Sequence, residues 1–197
     1  EASKVAPAWN QSASVLTLGK VYEEMYLDLT DRHAEPLRQH AREAFLHALE
    51  IDPQSATAWI SLATIQAWNP QEFEQALACS RGALDLDPRN ALYLDVHARI
   101  LLQAGRYEEA LATWEQSLRN QPRLPQALLG KAEALYGLKR QAEAEEALTE
   151  AFQLDPRVEA AARRIRAAAG SASGRGPEEL PSGRRSGAGP VLPAETR

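Results

Sequence analysis

The chain has 197 residues, of which 25% are charged and 44% belong to the set A, V, I, L, M, F, W, Y, C, with a formal net charge of −5. These are values of a soluble folded protein, and a mildly acidic balance with no basic stripe argues against a phosphate-neutralising, nucleic-acid-binding role. Cys79 stands alone, so no internal disulfide can form, and no apolar run approaches the roughly 20 residues needed to span a membrane as a helix.

Residues 1–11 hold Pro7, Trp9 and Asn10 without a helical period and read as an extended segment. Ser12 or Ser14 is placed to cap a first helix. From Val15 to about Asp28, Val15, Leu18, Val21, Tyr22 and Met25 recur at three- and four-residue spacing, which predicts one buried face. The stretch Leu27–Glu35 then adds roughly ten residues before a second helix from about Pro36 to Glu50, with proline acceptable in its first turn. His40 and His47 share a face of that helix, but metal pairs prefer one-turn spacing and no CxxC or HExxH is present, so no metal or cofactor is expected.

Further along, Trp68-Asn69-Pro70 lengthens a turn by one residue, and Trp68 is expected to pack against a neighbouring helix rather than stand outside as an exposed anchor. Cys79 reads as a small buried residue of the following helix. Later turns fall at Ala104-Gly105-Arg106 and Leu138-Lys139-Arg140. Glu108, Glu109, Glu143, Glu145 and Glu146 follow them near helix starts, where the helix dipole favours negative charge. Arg157–Ala169 forms a further amphipathic helix with Val158, Ala161, Ala162 and Ile165 on its apolar side. Residues 170–197, rich in Gly, Ser and Pro, are expected to be disordered, with Arg184-Arg185 as solvated linker.

The punctuation of this pattern is periodic. Pro53, Pro88, Pro122 and Pro156 are separated by 35, 34 and 34 residues, and three of the four follow an aspartate (Asp52, Asp87, Asp155), with Gln121 doing the same work before Pro122. Four units share a register. The first supplies Val15, Leu18, Gly19, Tyr22, Ala41, Phe45 and Ala48; the second Trp59, Leu62, Ala63, Ala76, Ser80 and Ala83; the third Leu94, Ala98, Leu101, Ala110 and Trp114; the fourth Leu128, Ala132, Leu135, Ala144, Leu148 and Ala151. The series resembles the tetratricopeptide-repeat family, whose pattern W-x2-L-G-x2-Y, A-x3-F, P recurs every 34 residues. His97 and Lys131 replace its usual leucine, which predicts looser packing at those two positions.

The resemblance implies an all-α, right-handed solenoid of four helix pairs with a C-terminal capping helix. The repeat domain would cover residues 12–169, with repeats at about 12–55, 56–90, 91–124 and 125–158 and the cap at 157–169. It also implies a non-catalytic scaffold or adaptor that binds a peptide or helix of a partner protein in the groove lined by the first helix of each repeat. Carried over by position, that lining is Leu16, Lys20, Thr57, Ile60, Ser61, Thr64, Asp95, Val96, Arg99, Gln103, Gln126, Leu129, Glu133 and Tyr136. Family members that grip the acidic tails of heat-shock chaperones use a clamp of lysines, asparagines and arginine. Here only Lys20 and Arg99 are positive, and Ile60, Ser61, Asp95 and Glu133 do not fit, so that clamp is expected to be absent.

No Gly-rich phosphate loop, GxSxG or Cys–His pairing supplies an enzyme's chemistry. Because the chain begins with Glu1, an alternative is a regulatory or substrate-docking part of a larger enzyme, such as a kinase or glycosyltransferase, lying upstream. Weak self-association through an unprotected first repeat is a further expectation. A cytoplasmic setting is slightly favoured over export with a removed leader, and nothing in the chain names the partner.

Overall fold

A computed structural model describes residues 13, 15–21 and 34–173. Helix α1 covers residues 15–21 and α2 runs Ala34–Ile51, followed by α3 (Ala56–Gln66), α4 (Phe73–Leu86), α5 (Ala91–Gln103), α6 (Tyr107–Asn120), α7 (Pro125–Gly137), α8 (Gln141–Leu154) and α9 (Glu159–Ser173). Two single 3-10 turns, Pro70–Glu72 and Pro156–Val158, lead into α4 and α9. Among the described residues there is no strand. Packing is sequential: α3 lies on α4, α5 on α6 and α7 on α8, and each pair rests on the next, which makes the molecule an all-α helical-repeat solenoid.

The periodic positions are the buried ones. Ala41, Phe45, Ala48, Leu62, Ala63, Ala76, Ser80, Ala83, Leu94, Ala98, Leu101, Ala110, Trp114, Leu128, Ala132, Leu135, Ala144, Leu148 and Ala151 are all inside. Alanine recurs where helices cross because a methyl lets two backbones approach. Glycine does the same where an aromatic ring must fit. The Trp114 ring lies over Gly130, the Tyr107 ring over Gly137, Phe45 over Gly19, and a Cβ added at any of these three would overlap the ring.

Junctions between repeats are fixed by their aspartates. Asp52 Oδ1 accepts the Gln54 N–H at 3.1 Å, Asp87 Oδ1 the Arg89 N–H at 3.4 Å and Asp155 Oδ1 the Arg157 N–H at 3.0 Å, so each side chain caps the turn that its proline begins. Gln121 makes no such turn. α6 nevertheless ends at Asn120 with Gln121 extended, so Pro122 punctuates this joint as expected, and α7 then starts with Pro125 in its first turn and no side-chain cap. Inside repeats three and four the turns are alike: Arg106 N–H bonds Leu101 O and Arg140 N–H bonds Leu135 O, each at 2.9 Å, with left-handed residues at Gly105 (φ 74) and Lys139 (φ 60).

Several expectations are revised. Trp68 is 56% exposed, next to the turn in which Asn69 accepts the Gln71 N–H at 3.1 Å before α4 begins. Leu18 and Val21 are exposed on α1, where Gly19 takes the position against Phe45. Position 97 is not loosely packed. His97 is buried, with Nδ1 2.7 Å from Ser80 Oγ, while Ser80 donates to Leu77 O at 3.0 Å. Lys131 pairs with Glu115 at 3.7 Å across α6 and α7. The last helix continues to Ser173, so residues 170–173 are helical where disorder is expected. Cys79 is buried as anticipated, and burial raises its thiol pKa, with Arg42 opposing. Residues 1–11, Ser12, Ser14, Tyr22, Met25, the loop to His33 and the tail from 174 onward, Arg184-Arg185 included, lie outside the described residues.

Candidate partner-binding face

First helices meet first helices. α5 packs against α3 and against α7, and α7 packs against α9, whereas no two second helices come together as closely. Elements that crowd on one side of a stack mark its inner side, so the first helices line the hollow.

On α5 the accessible side of the helix is one stripe at helical spacing: Leu92, Asp95 and Val96, Arg99, then Gln103. The matching stripe of α7 is Gln126, Leu129 and Glu133. The two stripes join through charge. Arg99 Nε donates to Asp95 Oδ2 at 2.8 Å, one helical turn away, and the other Asp95 oxygen accepts the Trp114 indole N–H at 3.0 Å. Trp114 belongs to α6 and is fully buried. Its ring passes beneath Gly130 of α7, so a second-helix residue holds a first-helix carboxylate in place.

Burial raises the Glu133 pKa, Arg99 partly offsets this, and Asp95 adds to it. Burial by itself would loosen the Arg99 proton, but Asp95, by charge and hydrogen bond, and then Glu133 hold it more firmly than usual. Asp95, Arg99 and Glu133 therefore form one polar patch across two repeats.

Other members of the carried-over lining are placed differently. Ile60 is 5% and Ser61 2% exposed, so neither offers a binding surface; α3, ATAWISLATIQ, carries no charged residue to hold that side of the helix in water. Thr57 is exposed and Thr64 half-buried, its hydroxyl donating to Ile60 O at 2.9 Å. Leu16 packs into the core. Lys20 sits 6.0 Å above the Phe45 ring, toward α2.

The Tyr136 hydroxyl donates to Glu145 of α8, and Arg166 of α9 donates to the same carboxylate at 2.7 and 2.8 Å. Burial first, then the Glu145 hydrogen bond and charge, push the tyrosine pKa up to about 12, against Arg166. Glu145 thus ties the cap to the last pair instead of merely matching a helix dipole. Two groove-side residues, Leu92 at 61% exposure and the Trp114 support beneath Asp95, are absent from the positional carry-over. Leu92 was legible as the residue one turn before Asp95. Trp114 was not, because its register marks it only as core.

No group of three or more His, Cys, Asp or Glu side chains among the described residues is arranged to hold a metal, and no described helix is long and apolar enough to cross a membrane.

A family model described as "Tetratricopeptide repeat" matches residues 96–159. A protein described as a STIP1 homolog from Dictyostelium discoideum is 28% identical over 90 residues, 46% of this chain and 16% of that protein, so the chain matches only a small part of this relative. Among solved structures, PilF of Pseudomonas aeruginosa aligns with TM-score 0.67 and 23% identity over 85% of this chain and 71% of PilF. YrrB, described as a TPR protein with an unusual peptide-binding site, aligns with TM-score 0.59 and 14% identity over 81% and 76% of the two chains. At these identities the two structures bear on the fold alone.

Proposed function

We propose that the chain, whose residues 96–159 match a tetratricopeptide-repeat family model, is a non-catalytic interaction module whose inner face, formed by α5 and α7, holds a segment of a partner protein. The observation that carries this reading is the pair of adjoining stripes, Leu92–Asp95–Arg99–Gln103 and Gln126–Leu129–Glu133, in which apolar, charged and amide side chains are mixed along an accessible surface. Extended peptides are gripped this way, with side-chain pockets setting specificity. The lining lacks the lysine and asparagine pattern of a chaperone-tail clamp, with Ile60, Ser61, Asp95 and Glu133 at the corresponding positions. That argues for a different partner.

The test is selection of displayed random peptides of about twelve residues, enough when extended to cross two repeats, against the full chain. Leu129→Arg together with Gln103→Glu should abolish binding of the selected peptides, while Phe152→Arg at an exposed position of the second helix α8 should leave it unchanged. Equal binding by all forms would remove the inner face from consideration.

A further inference from the structure

The inner face of α5 and α7 carries two carboxylates against a single guanidinium, and that guanidinium is engaged. Arg99 donates to Asp95 at 2.8 Å, and the remaining Asp95 oxygen is taken by Trp114 at 3.0 Å. Glu133 is left over. No donor among the described residues hydrogen-bonds it; it is half-buried, and of its charged neighbours Arg99, already held by Asp95, favours its charge while Asp95 opposes it. Among the described residues, neighbouring elements bring no other cation to it. α3 has no charged residue, Lys131 of α7 is turned to Glu115, and Arg166 of α9 is held by Glu145 beyond Tyr136. A partly desolvated carboxylate with no hydrogen-bond donor favours a ligand that brings a positive charge.

Resting on the inner-face reading, we infer that the partner segment is basic: an extended stretch with a lysine or arginine whose cation settles on Glu133 and Asp95. An apolar side chain of the same stretch lies one helical turn nearer the repeat junctions, on Leu92 and Leu129. Each leucine precedes its carboxylate by one turn on its own helix, and in the 34-residue register Asp95 stands level with Leu129 and Arg99 with Glu133, so the two carboxylates are offset by about one turn along the hollow. Arg99 shapes the choice further. Locked to Asp95, it leaves room for one cation and repels a second placed beside it.

The same peptide selection, read for sequence, tests this. Enriched peptides should share a lysine or arginine at one register position next to an apolar residue and be poor in Asp and Glu. Glu133→Gln, which keeps shape and removes charge, should weaken a selected peptide about tenfold and flatten its salt dependence. Arg99→Ala should strengthen the preference for basic residues, an effect that loss of fold would not produce. Inner-face binders with no basic preference, or with an acidic one, would overturn the inference and leave the groove reading standing. Failure to select any peptide sensitive to Leu129→Arg would overturn both.

Discussion

Trp114 is wholly buried, yet its indole nitrogen ends on Asp95 of the inner face, because Gly130 leaves the space through which the ring reaches. A methyl at position 130 has nowhere to go except into that ring. Gly130→Ala is therefore expected to lose about 1 to 3 kcal/mol in urea denaturation, despite the better helix propensity of alanine. Lys139 presents the opposite case. It occupies the left-handed turn position that Gly105 fills in the preceding repeat, and a side chain there costs about 1 kcal/mol. Lys139→Gly should raise stability by roughly that amount, and a fall would show that the turn is held by its side chain.

His97 couples the fold to pH. Burial, then Arg81 and Arg106, lower its pKa from the ordinary 6.5 to about 4, against Glu109. The folded chain therefore holds the neutral imidazole, and the unfolded chain takes up the proton first. The contribution is complete above about 6.5 and is lost as pH falls toward 4. Between pH 7 and 4.5, wild type should lose about 2 to 3 kcal/mol more than His97→Leu. An equal loss in both forms would contradict the assignment. Sequence spacing placed position 97 on a buried face, but not the Ser80 hydroxyl that waits there, since that pairing joins two repeats and no local pattern encodes it.

Among the elements, α9 is the one whose role depends least on repetition. Val158, Ala162 and Ile165 cover the apolar side of the last pair, and Arg166 with Tyr136 grips Glu145 from two helices. The sequence made this cap visible through its three-and-four spacing, although the helix carries on through Gly170, where composition alone points to a stop. Ile165→Ala should cost about 2 kcal/mol locally. In a stack stabilised by nearest neighbours, the loss should appear as faster amide exchange in α8 and α9, with α3 and α4 unchanged. Uniform acceleration along the chain would mean that the repeats unfold as one unit. α3 was misjudged for a related reason: repeat position assigns Ile60 and Ser61 to the hollow, while the helix's own uncharged circumference assigns them to the interior. The physical rule outranks the positional one.

At the scale of the whole molecule, the 34-residue proline period and the small residues at helix crossings were enough to specify a solenoid, because stacking is a consequence of which faces each unit leaves apolar. The candidate site was legible only in part. Asp95, Arg99, Leu129 and Glu133 follow from position in the repeat, but their union into one patch depends on how far α5 and α7 turn toward each other, and on Trp114 from the helix behind.

What the account requires is that a bound segment touch the inner helices and not the outer ones. Amide and indole resonances followed during titration with a selected basic peptide would decide this. The account predicts shifts concentrated on α5 and α7, at Leu92, Asp95, Arg99, Leu129 and Glu133, and at the Trp114 indole N–H bonded to Asp95. Shifts confined to α4, α6 and α8, with that indole signal unmoved, would contradict it.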